Sequence, residues 1–111
     1  MLNLLRREFN LDQLIDNTGD THLYQGYGEV YKVLYNKKYT QLNIKSDLSG
    51  KDALGVHKIG KFFRIIWKDN NQFFFSQYDL NGNEVKQIKK IGPVVLKKQE
   101  KIFGRNFTNK A

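Results

Sequence analysis

Phe62-Phe63-Arg64-Ile65-Ile66-Trp67-Lys68-Asp69-Asn70-Asn71-Gln72-Phe73-Phe74-Phe75-Ser76-Gln77-Tyr78-Asp79-Leu80-Asn81-Gly82-Asn83-Glu84-Val85-Lys86-Gln87-Ile88-Lys89-Lys90-Ile91 decides the fold. β-Branched and aromatic residues dominate it, and polar turn residues cut it into three. Phe62 to Trp67 reads as a strand and Lys68-Asp69-Asn70-Asn71 as a turn. Gln72 to Asp79 reads as a second strand, Asn81-Gly82 is a strong hairpin signal, and Glu84 to Ile91 returns. The expectation is a three-stranded antiparallel meander. Neighbouring residues on a strand point to opposite faces, so Phe73 and Phe75 share one face and Phe74 and Tyr78 the other. The same alternation puts Lys86 and Lys90 on the face of Ile88, with Lys89 opposite.

Beyond the meander, Gly92-Pro93 breaks the ladder, because proline has no N–H to donate. Val94-Val95-Leu96 reads as a short edge strand. Residues 97–111 read as a basic arm or a short helix over Lys98 to Phe103. Tyr78-Asp79-Leu80-Asn81-Gly82-Asn83 resembles one copy of the YD-repeat motif of large secreted shells; a single copy specifies a turn, not that family.

Upstream, Ser46 to Gly60 contains three glycines and no sustained period, so it reads as a loop with functional potential. Tyr39 to Lys45 alternates cleanly. Asn36-Lys37-Lys38 reads as a turn. Tyr27 to Tyr35 reads as a strand, although Tyr27, Tyr31, Leu34 and Tyr35 also fit a helical spacing. Leu4, Leu5, Phe9, Leu11, Leu14 and Ile15 recur every three or four residues and predict an amphipathic helix over 2–16, ended by Asn17-Thr18-Gly19-Asp20. The fold expected from these readings is α+β, an N-terminal helix packed on a bent antiparallel sheet of about five strands. A small SH3-like or OB-like barrel is one form such a sheet can take. Residues 1–96 are expected to form a single domain, with 97–111 as a basic C-terminal arm or short helix.

The chain has 111 residues and a net charge of +8. From Lys86 onward there are eight basic residues against one acid, Glu100, and residues 31–68 carry nine against two. Charge gathered in this way points to a polyanionic partner. Fifteen lysines against four arginines favour phosphate contacts over bidentate reading of bases. The absence of cysteine excludes disulfides, zinc ribbons and thiol catalysis. Met1 to Glu8 lacks the apolar run of a signal peptide, no stretch reaches the length of a membrane span, and a cytoplasmic protein is expected.

Three functions follow from these residues. The first is nucleic-acid binding without chemistry, to RNA or single-stranded DNA, as in an RNP or ribosome component. Phosphates would meet Lys86, Lys89, Lys90, Lys97, Lys98, Lys101 and Arg105, with Lys37, Lys38, Lys61 and Arg64 as a second region. Trp67 and its aromatic neighbours would supply a stacking surface if one sheet face is open. The second is a phage or mobile-element interaction protein that blocks a host nucleic-acid enzyme. The third is a small metal-independent ribonuclease toxin, whose general outline is similar to a basic chain with a helix ahead of an antiparallel sheet. There His57 and His22 would move protons and Arg64 would stabilise charge on the phosphorane. No ligand-like spacing of acids and no phosphate loop is present, so neither metal nor cofactor is expected.

Overall fold

The computed structural model describes residues 12–108. Eight strands form two antiparallel meanders: β1 (Gln13–Thr18), β2 (Thr21–Gln25), β3 (Tyr31–Tyr35) and β4 (Lys38–Gln41), then β5 (Asp52–Ile59), β6 (Phe62–Asp69), β7 (Gln72–Asp79) and β8 (Glu84–Ile91). An α-helix, α1 (Pro93–Phe103), follows the last strand. Two-residue turns join most neighbouring strands. At Asn36-Lys37 both residues have positive φ (54° and 64°), the backbone that matches strand twist in a tight hairpin. Gly82 has a φ of 92°, and a Cβ there would lie 2.2 Å from the Gln41 carbonyl oxygen. Only glycine lets the β7–β8 turn close against the end of β4.

The second meander follows the sequence reading closely, and its two faces are both covered. Phe63, Ile65, Trp67 and Tyr78 look inward with Val56 toward Leu23, Tyr31 and Val33 of the first sheet, forming the main core. Ile66, Phe73, Phe75 and Ile91 look outward and pack beneath Leu96 and Phe103 of α1, and Phe107 beyond it. The order of layers is sheet, sheet, helix. Trp67 and Tyr78 are fully buried, and Ser76 links them: Trp67 Nε1–H donates to its Oγ at 2.8 Å, and the Ser76 and Tyr78 hydroxyls are 2.7 Å apart. Burial pushes the Tyr78 hydroxyl pKa up.

The expected α+β plan, a helix packed on one bent sheet of about five strands, is overturned: the described residues form two four-stranded sheets, neither closed into a barrel, with their α-helix after the last strand. Of the helix expected over 2–16, the last residues begin β1, and residues 1–11 lie outside the described residues. A bulge between Leu14 and Asp16 interrupts strand alternation within β1, so local spacing does not mark Leu14 and Ile15 as strand residues. A second bulge, between Ala53 and Gly55, hides β5 within the stretch expected to be a loop. Tyr27–Glu29 is a single 3-10 turn before β3 rather than part of the strand. Val94-Val95-Leu96 belongs to α1 and not to an edge strand, since Gly92 takes the N-cap position and Pro93, with φ already set, starts the first turn. Gly104, with φ of 72°, ends the helix in the left-handed conformation.

Candidate nucleic-acid interface

β8 is the outer strand of the second sheet, and lysines line both of its sides. Register with β7 fixes where each one points. Lys89 lies opposite Phe75 and Lys86 opposite Gln77, so both share the face covered by α1; Lys90 lies opposite Phe74 on the other face. Simple alternation had paired Lys86 with Lys90. A bulge opposite Ser76 inserts an extra residue and reverses that assignment.

Two grooves result. One, of about 460 Å³, is lined by Phe75, Lys86, Gln87, Ile88 and Lys89. The other, of about 430 Å³, lies between β8 and the loop before β5; Lys45, Lys51 and Lys90 surround Phe74 in it, and Asp47 lines it too. Gln87 and Ile88 border both grooves. Each thus has a phenylalanine in its lining and a cation over that ring: Lys51 Nζ is 4.9 Å from the centre of Phe74, and the Arg64 guanidinium 5.0 Å from that of Phe75. The loop is pinned to β8 through Glu84, which accepts from the Lys45 N–H and the Ser46 hydroxyl, while Ile88 N–H donates to Ser46 Oγ. Lys97, Lys98 and Lys101 are exposed on α1, on the side of the second sheet that carries Lys86 and Lys89.

The acids nearby are occupied by backbone. Glu84 holds the loop, Glu100 accepts from the N–H groups of Phe107 and Thr108, and Asp47 accepts from Ser49, whose hydrogen bonds hold its carboxyl below the ordinary value. Ion pairs among the described residues join Lys32 to Asp12 and Arg105 to Asp16; none involves a lysine of the two grooves or of α1.

Several residues singled out by charge have other occupations. Arg105 grips Asp16 and also donates to Thr18 Oγ1 at 2.6 Å. Arg64 spends its guanidinium on Gln77 and Gln99 beneath the helix, and burial lowers its pKa. Trp67 lies fully inside the main core, so it offers no stacking surface. Lys37 and Lys38 are exposed at the β3–β4 hairpin and Lys61 at the β5–β6 turn; none borders the β8 grooves. Sequence reasoning missed Lys45 and Lys51, which the fold brings beside Lys90. Their membership of a basic block was visible, and their placement was not.

The histidines are not assembled into one site. His22 faces Leu34 in the first sheet, whereas His57 pairs with Arg64 in the second and lies 5.4 Å from the Phe103 ring centre. Burial first, then Arg105 and Arg64, lower the His57 pKa. Among the described residues no three His, Cys, Asp or Glu side chains gather as a metal site, and no helix is long and apolar enough to cross a membrane. Comparison with known proteins returns no match: no family model, no curated protein and no solved structure is similar to this chain. The functional reading therefore rests on these side chains alone.

Proposed function

We propose that this chain binds nucleic acid through its phosphates and performs no chemistry on it, using the lysines of β8, the adjoining loop and α1. The observation that carries this reading is the pair of lysine-lined grooves flanking one strand, with the neighbouring carboxylates engaged by backbone N–H groups. Both arginines among the described residues are held in internal hydrogen bonds. Lysine, a hydrated point charge, is then left to make the contacts, which suits sequence-independent phosphate binding.

Fluorescence anisotropy with a labelled single-stranded RNA at low and moderate salt, followed by a denaturing gel of the same samples, tests the proposal. Binding to intact RNA is expected, with log affinity falling by ~0.7 per phosphate contacted for each tenfold rise in salt. No binding at low salt overturns it, and cleaved RNA overturns the non-catalytic part. The competing reading, docking onto a protein, draws on Val94, Val95 and Ile102, which α1 leaves exposed beside its lysines.

A further inference from the structure

Resting on that reading, we infer that the ligand is a single strand that crosses β8 at Gln87, placing one nucleotide in each groove. The grooves open on opposite faces of the sheet: Phe75 and Lys89 belong to the face under α1, Phe74 and Lys90 to the other. Consecutive residues of β7 therefore line two separate sites, and exposed Gln87 is the saddle between them. A ligand that fills both must turn within roughly 10 Å, the thickness of one sheet layer. Duplex DNA, with a persistence length of about 50 nm, cannot make that turn and reaches one groove at a time. A single strand makes it freely. Its bases have faces to lay beside the half-buried Phe74 and Phe75, while its phosphates meet Lys86 and Lys89 on one side and Lys45, Lys51 and Lys90 on the other.

The test uses the full chain, labelled oligothymidylates of increasing length, a duplex of matched charge, and two charge-reversal variants confined to exposed residues: Lys86→Glu with Lys89→Glu, and Lys45→Glu with Lys90→Glu. For a strand long enough to span both grooves, each variant is expected to lower affinity by about tenfold or more, because either change removes the benefit of joining the two sites. For a strand short enough to fill one groove, each variant is expected to remove one of two similar sites and leave the other intact. The duplex is expected to bind more weakly than the long single strand. Equal affinity for duplex and single strand, or sensitivity of the long strand to only one of the two variants, overturns the crossing while leaving nucleic-acid binding in place. Equally tight binding of an oligoglutamate of the same charge overturns the nucleotide assignment. Failure of every oligonucleotide to bind at low salt overturns the underlying proposal itself.

Discussion

Asp16 and Arg105, 89 positions apart, form a two-point ion pair that ties the end of the chain to its first strand. Arg105 Nη2 donates to Asp16 Oδ2 at 2.7 Å, and that oxygen also accepts the Val56 backbone N–H at 2.9 Å. One carboxylate thereby fastens three pieces: the first sheet, the facing edge strand of the second, and the segment beyond α1. Phe107 completes the seat against Gly55, where a Cβ would lie 2.9 Å from its ring.

Asp16→Ala leaves Arg105 without its partner and the Val56 N–H unpaired beneath it. The expected loss is about 3 kcal/mol, at the low end for a broken buried pair because Arg105 keeps some access to solvent. Urea denaturation of Asp16→Ala, Arg105→Ala and the double variant gives the coupling. A double variant no less stable than either single one supports the latch, and additive losses refute it.

His57 gives the fold a pH dependence of known sign. In the folded chain its pKa lies below the ordinary 6.5, owing to burial and then to Arg105 and Arg64. The unfolded chain therefore takes up this proton at higher pH than the folded one. The stability contributed is fully present above about pH 6.5 and declines as pH falls through it toward the folded value. His57→Phe keeps an apolar ring against Phe103 and removes the titration. Its urea midpoint is expected to change less between pH 7.5 and 5.5 than that of the unaltered chain; equal changes would dismiss His57 as the source.

Ser76 has no solvent exposure and serves two larger side chains. Ser76→Ala strips the partner from Trp67 Nε1–H and from the Tyr78 hydroxyl, with an expected loss of about 1–3 kcal/mol. Trp67→Ala opens a cavity in the main core and is expected to lose about 3–5 kcal/mol. Chemical denaturation measures both. A Trp67→Ala chain of ordinary stability but weakened RNA binding would return Trp67 to the role of a stacking residue.

The meander over 62–91 was legible because its period and its turns are local, and the same alternation placed Phe73, Phe74, Phe75 and Tyr78 on their faces. Bulges were not legible. At Leu14/Asp16, Ala53/Gly55 and opposite Ser76 an inserted residue depends on the partner strand and leaves no mark in local spacing. They obscure, in turn, the start of β1, the whole of β5 and the face of Lys86. The C-terminal helix was half visible: Lys98 to Phe103 was one of two readings, and the Gly92-Pro93 pair, read as the end of a strand, is also the start of α1. Charge located β8 and α1 as candidates. It could not reveal that Arg64 and Arg105 are bound up in packing, because their partners Gln99 and Asp16 are set by tertiary contacts, nor that Glu100 holds the turn after α1 through the Phe107 N–H.

Lys37 separates stability from binding. Its φ of 64° places a side chain in the left-handed region, where a residue with a Cβ is disfavoured by roughly 1–2 kcal/mol and glycine is not. Glycine loses more backbone freedom on folding, which offsets part of that gain. Lys37→Gly is therefore expected to stabilise the chain by about 0.5–1 kcal/mol, read from the shift in urea midpoint. Lys37 borders neither β8 groove, so affinity for a single-stranded oligonucleotide should fall less than twofold, the general effect of one distant charge. A drop of about tenfold in the more stable variant would show that a phosphate contacts the β3–β4 hairpin and would carry the interface across to the first sheet.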